Sequence, residues 1–380
     1  MADTALLQHP ASKTGLTKYA MVRIFSRSCF IVFVLACAVV TAHAGDLADA
    51  EKAFARKDFT QALALFRKAA AKGDATAQFN LAAMHVKGQG TPQNYPAAVA
   101  LYLQSATQGY APAQNSLGVR YEKGQGVAQD PSRAAVLYRE AAEQRFGLAQ
   151  DNLSDLFAKG LGVRQDLVLA YVWSSLASAN GEAGAAPKRV AMERAMKREQ
   201  LDEAITHLGT MFQRGRGVAQ DAKRAVAYFQ QAAAQGFVVA QFALAECYDK
   251  GDGVTQDHRQ AAKWFEKSAV LGHARAQTNI GYMYEIGQGV ALDAKLALYW
   301  YSQAAAQGEA VAQYNLGAMV ESGRGVNQDH VEAHKWFNIA EVNGNARAMD
   351  SRRLVESLMT PEQITDAQKR ASEWMKKNVR

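Results

Sequence analysis

From Ala77 onward the apolar positions return in one fixed arrangement. An Ala opens each cycle: Ala77, Ala113, Ala149, Ala204, Ala240, Ala276, Ala312 and Ala348. Leu or Ile stands four places on (Leu81, Leu117, Leu153, Leu208, Leu244, Ile280, Leu316), and a small residue follows it (Ala82, Gly118, Ser154, Gly209, Ala245, Gly281, Gly317). An apolar residue three places further, such as Tyr121, Phe157, Phe212, Tyr248 or Tyr284, completes one stripe at helical spacing. The small position predicts that a second helix packs closely there. Paired glycines then end the stripe, from Gly88/Gly90 to Gly323/Gly325, and read as left-handed cap and turn residues. An Asn or Asp comes next: Asn94, Asp130, Asp166, Asp221, Asp257, Asp293, Asp329. With an Ala four places later and aromatics behind, this residue predicts the N-cap of a second helix.

Each step between the leading alanines is 36 residues, except that from Ala149 to Ala204, which is 19 longer. A fixed period in this range predicts an all-α solenoid of stacked antiparallel helix pairs. The extra residues reveal a larger duplication. Shifted by 163, the chain matches itself without a gap: Ala77 on Ala240, Asp166 on Asp329, Trp173 on Trp336, Met196 on Met359, Ala204 on Ala367. This predicts a first array at 45–181, opened by a degenerate unit, and an inserted cap or hinge at 182–203. A second array at 204–347 and capping helices at 348–380 follow.

The run A-x-x-N-L-G-x-M-Y-x-x-G-x-G-V-x-x-D-x-x-x-A-x-x-W-Y-x-x-A-A-x-x-G resembles the Sel-one-like repeat (SLR) family, a relative of the tetratricopeptide repeats. The resemblance covers residue 77 to about 348. It implies right-handed stacking of helical hairpins, a concave face, and a role as an adaptor in bacterial envelopes or signalling. Members linked to penicillin binding carry a Cys pair in each repeat, which this chain lacks.

Residues 1–44 read as a signal peptide outside the fold. Arg23 and Arg27 precede the apolar run Cys29–Val40, and Ala42-His43-Ala44 supplies a small-residue cleavage site after Ala44. Met21 is the more ordinary start for such a signal. The run is too short for a membrane span, so no span is expected in the mature chain. Periplasmic location is the expectation, with secretion as the alternative. The net charge of +7 falls to about +4 once Lys13, Lys18, Arg23, Arg27 and Asp3 leave with that segment, which gives no case for nucleic acid. Of three cysteines only Cys247 remains, so no internal disulfide is expected. Cys247 sits where other repeats carry Met and reads as a core filler.

Candidate chemistry is sparse. Seven caps spaced a repeat apart cannot converge on one ion. His330 and His334 stand at i, i+4, but in HVEAH the Glu is misplaced for a zinc hydrolase and no third ligand is indicated. We therefore expect no metal, no cofactor and no enzyme. Function must come from positions the repeat leaves free. The second, sixth and ninth places after each leading Ala share a helix face. In the second array this face carries Phe242, Glu246, Asp249, Thr278, Tyr282, Glu285, Tyr314 and Glu321, an expected groove for a partner segment with basic and apolar side chains. The reading is a non-enzymatic scaffold or regulator binding a protein partner, a sensor kinase ectodomain or an envelope complex. A cell-wall or β-lactam-acting hydrolase and a secreted effector binding a host protein are the alternatives.

Overall fold

The computed structural model describes residues 45–378, so the expected signal peptide and its cleavage site lie outside the described residues. Nineteen α-helices and no strand occur among the described residues. No helix among them is long and apolar enough to cross a membrane.

Two compact units divide the chain. The first holds residues up to Arg120 together with Gly124–Ala128; the second holds Tyr121–Lys123 and residues from Gln129 onward. The division therefore falls within a repeat of the first array, upstream of the insertion. The first unit contains α1 (45–55), α2 (Phe59–Ala71), α3 (Ala75–Lys87), α4 (Tyr95–Thr107) and most of α5 (Ala111–Lys123). Its core gathers Ala50, Phe66, Ala77, Leu81 and Met84. The second unit begins with α6 (Pro131–Glu143), α7 (Gly147–Lys159), α8 (Leu167–Ala179), α9 (Ala185–Ala195) and α10 (Arg198–Arg214). It continues as α11 (Ala222–Ala234), α12 (Val238–Lys250), α13 (His258–Val270), α14 (Ala274–Ile286) and α15 (Ala294–Ala306). It closes with α16 (Ala310–Ser322), α17 (His330–Val342), α18 (Ala348–Glu356) and α19 (Pro361–Asn378).

The local chemistry follows the sequence pattern. The side chains of Asn94, Asp130, Asp166, Asp221, Asp257, Asp293 and Asp329 each accept from the backbone N–H three residues on. Such a cap contributes about 1 kcal/mol. The first glycine of each pair is a left-handed C-cap, with φ from +66° at Gly124 to +72° at Gly251. The second glycine meets the preceding repeat. A Cβ on Gly253 would lie 2.2 Å from the Ala222 carbonyl oxygen, and one on Gly289 2.1 Å from that of His258. The small position admits an aromatic ring: a Cβ on Gly281 would lie 2.9 Å from Tyr301 Cδ1, and one on Gly209 2.5 Å from Phe229 Cε1.

A buried glutamine after the leading Ala joins neighbouring elements. Gln78, Gln150, Gln277 and Gln313 donate through Nε2 to the carbonyls of Ala70, Ala142, Ala269 and Ala305, which end the preceding helix. Their Oε1 atoms accept from Gln108, Asn180, Gln307 and Asn343, each at 2.8 Å. The open carbonyls of a helix end are thus satisfied inside the core.

The insertion changes how the next repeat attaches. The Ser174 hydroxyl donates to the Ala185 carbonyl, fixing α9 to α8. Lys188 on α9 reaches back to Asp151 at 2.8 Å and Asp155 at 2.9 Å on α7. The Gly217 carbonyl accepts from Gln150 Nε2 at 2.5 Å and Asn180 Nδ2 at 2.9 Å. Its glycine therefore seats on the ends of α6 and α8, near Ala142 and Trp173, not on the start of the preceding second helix.

At the C-terminus α19 is the shifted counterpart of α10. Ile205, Leu208 and Phe212 of α10 are buried, whereas the matching residues of α19 are Gln368, Ala371 and Met375. Only Ala371 of these three is buried. His334, fully buried on α17, is held by Glu356 at 2.8 Å, and Arg352 bridges Glu341 and Glu356.

Candidate functional site

The eight residues expected on the groove separate into three groups. Phe242 and Thr278, two places after the leading Ala, are buried. The Phe242 ring stacks on His273 with centroids 4.5 Å apart, and the Arg275 guanidinium lies 5.0 Å from the ring centre. The next repeat thus covers this position, and Phe242 serves packing between neighbouring first helices. The Thr278 hydroxyl donates to the Ala274 carbonyl of its own helix.

Tyr314, Glu285 and Glu321 form the second group. Tyr314 packs against Phe337 at 5.6 Å, and Ser351 of α18 approaches its hydroxyl at 3.4 Å. By the 163-residue shift Ser351 matches Lys188, so α18 covers α16 as α9 covers α7. Glu285 accepts from the buried Tyr301 hydroxyl at 2.7 Å and pairs with Arg324 at 2.6 Å. Glu321 is half-buried, and its carbonyl accepts from Gln328.

Glu246, Asp249 and Tyr282 form the third group, and these the structure brings together. They line a cavity of about 280 Å³ with Lys250, Arg275 and Gln288. The helical spacing of α12 puts Glu246, Asp249 and Lys250 on one face, and α14 brings Tyr282 beside them. Tyr282 is 49% exposed. Lys250 pairs with Glu246 at 3.0 Å, and His258 Nδ1 lies 2.9 Å from Asp249. Both contacts reach solvent and contribute little, so a partner's charges can displace them. The face is consequently of mixed charge and less acidic than its sequence implies. Arg275 and Gln288 were not foreseen, because Arg275 precedes the leading Ala and Gln288 separates the paired glycines.

Two groups next to the lining residues have shifted pKa values. The His273 imidazole caps α14, Nδ1 accepting from the Ala276 N–H. Burial and then the neighbouring Arg275 hold its pKa below the ordinary histidine value against the pull of Glu246. The Cys247 thiol is buried, and desolvation with Asp252 and Glu246 nearby pushes it up to about 12. It therefore stays protonated near neutral pH and acts as a core filler. No group of three or more His, Cys, Asp or Glu side chains placed to hold a metal occurs among the described residues.

Helix pairs of one shape, with the α12 and α14 first-helix face left open, define a helical-repeat interaction module. The chain belongs to the Sel1 repeat family, whose repeat matches residues 48–74, 75–110, 111–146, 147–182, 202–237, 238–273, 274–309 and 310–341. The gap in this series, 183–201, holds α9 and the start of α10. Among solved structures, a protective antigen of uropathogenic Escherichia coli displaying an SLR fold is 28% identical. The match covers 88% of this chain and 92% of that one, with a TM-score of 0.40. A Sel1 repeat protein from Oxalobacter formigenes is also 28% identical over 68% of this chain and 96% of its own, with a TM-score of 0.35. An immunity protein from Pseudomonas aeruginosa is 19% identical over 61% of this chain and 81% of its own, with a TM-score of 0.25. A comparison with curated proteins finds none that matches.

Proposed function

We propose that the protein is a non-enzymatic scaffold or regulator, exported to the bacterial periplasm, that holds a segment of a partner protein against α12 and α14. The observation that carries this reading is the open face between two covered ones. Lys188 of α9 occupies the equivalent face of α7, and Ser351 of α18 lies over that of α16. Between them Glu246, Asp249 and exposed Tyr282 surround a cavity large enough for one or two side chains. Tyrosine beside exchangeable charge is the composition of a protein-binding hot spot. The partner segment that fits brings a basic side chain to Glu246 and Asp249 and an apolar one to Tyr282. An envelope complex or the ectodomain of a sensor kinase is the class of partner this location favours.

The test joins capture and fractionation. A paired variant, Glu246→Lys with Tyr282→Ala, is expected to lose an envelope protein that the parent retains, at an unchanged melting temperature. A fusion of residues 1–46 to alkaline phosphatase is expected to be active. Equal capture by the variant removes the docking face from the proposal, and an inactive fusion removes export. Turnover of nitrocefin or peptidoglycan by the purified protein would favour a hydrolase instead.

A further inference from the structure

The repeat supplies its own control for what each surface position normally carries. The residue before the second-helix cap is Gln93, Gln129, Gln165, Gln220, Gln256 and Gln328 in six repeats, and Leu292 in the other. Each of those glutamines donates through Nε2 to a first-helix carbonyl seven residues earlier: Val86, Glu122, Ala158, Gln213, Asp249 and Glu321. Leu292 gives up that bond and is 68% exposed. The loop geometry is unchanged, since a Cβ on Gly287 would lie 3.3 Å from Leu292 Cβ, much as one on Gly251 would lie 3.2 Å from Gln256 Cβ. Two further exposed apolar residues, Leu296 and Tyr299, continue the stripe on α15 at spacings of four and three. The equivalent positions are Gln260 and Lys263 on α13, and Glu332 and Lys335 on α17. Relative to its two neighbours, α15 has thus exchanged a polar face for an apolar one.

The surroundings specify charge. Arg259 and Lys263 on α13 and Lys295 on α15 are exposed, and no acidic side chain of the described residues pairs with them. Arg259 is the repeat equivalent of Lys295, and Lys263 that of Tyr299, so the cations run beside the apolar stripe. On the other side Lys335 is already neutralised by Glu332 at 2.7 Å.

We propose that Leu292, Leu296 and Tyr299 form a second docking surface, distinct from the α12–α14 face, for an amphipathic acidic segment of a partner protein. Its apolar side chains cover the stripe, and its carboxylates meet Arg259, Lys263 and Lys295.

The test uses the purified protein and two fluorescein-labelled amphipathic helical peptides, one of Leu and Glu and one of Leu and Lys. The triple variant Leu292→Gln, Leu296→Gln, Tyr299→Lys carries only residues that the preceding repeat already holds at Gln256, Gln260 and Lys263, so it is expected to fold. Should it not, the charge variant Arg259→Glu, Lys263→Glu, Lys295→Glu replaces it. The expected result is saturable binding of the Leu/Glu peptide, about tenfold or more weaker in either variant and unchanged by Tyr282→Ala. Equal binding of the Leu/Lys peptide, or undiminished binding by the variants, overturns the proposal. Self-association lost in the triple variant, with no peptide bound by the parent, also overturns it by assigning the face to a second copy of the chain.

Discussion

The Tyr301 hydroxyl donates a 2.7 Å hydrogen bond to Glu285 Oε2, across the two helices of one repeat. Tyr138 and Glu122 make the same pair at 2.6 Å. Tyr301 is fully buried, and desolvation followed by the carboxylate raises its phenol well above the ordinary range. Glu285→Ala leaves a buried hydroxyl without its acceptor and is expected to cost about 1–3 kcal/mol. Tyr301→Phe is expected to cost about 1 kcal/mol or less, because Phe265 and Phe337 fill the equivalent position in the flanking repeats. Urea denaturation followed by circular dichroism separates the two, and equal costs would contradict the assignment.

The buried glutamine at 241 is incomplete. Its Nε2 reaches the Ala233 carbonyl at 3.4 Å, but its Oε1 has no partner. The donor in other repeats stands thirty residues later, where this repeat has Leu271, 55% exposed. Leu271→Gln supplies that donor and is expected to raise stability by about 1 kcal/mol. Thermal denaturation checks it, and an unchanged or lower midpoint contradicts it.

Two glycines separate the ordinary repeat junction from the inserted one. Gly253 and Gly217 share a left-handed φ, +75° and +69°. A Cβ on Gly253 would strike the Ala222 carbonyl at 2.2 Å, whereas on Gly217 the nearest atom is at 3.3 Å. Both alanine variants pay for the positive φ, about 1–3 kcal/mol. Gly253→Ala adds a backbone collision and is expected to be the more destabilising. The reverse order of melting temperatures would show that the second array attaches like any other repeat.

Acid acts on the α14 cap through His273. Its folded pKa lies below the unfolded value of about 6.5. The unfolded chain therefore binds the proton first, and stability falls as pH drops from about 6.5 through the folded value. His273→Asn keeps a capping acceptor without titrating there. Stability measured from pH 7 to 5 is expected to fall less steeply in this variant than in the parent, and parallel curves would contradict the role.

The repeat, its caps and its paired glycines were legible because each is a local need restated every 36 residues. Cross-repeat features were harder to see. The Gln after the leading Ala stands openly at 78, 114, 150, 241, 277 and 313, yet its bonds reach other helices and no single window reveals them. The Tyr138–Glu122 and Tyr301–Glu285 pairings had only a partial signal, since Glu321 stands at the same place in a repeat that carries Phe337, and Tyr102 falls in a repeat that carries Val86. The groove list failed at Phe242 and Thr278 because helical spacing assigns a face but not what the next repeat lays over it. Tyr314 is half-buried, and α18 reaches back to its hydroxyl through Ser351.

The central claim is that a partner protein lies on α12 and α14 beside Tyr282. The most direct measurement places a photo-reactive phenylalanine at position 282, and separately at exposed Val136, in cells producing the full chain. The account predicts one discrete cross-linked species from position 282, lost on Glu246→Lys and not formed from 136. No cross-link at 282, or the same species from both positions, would contradict it.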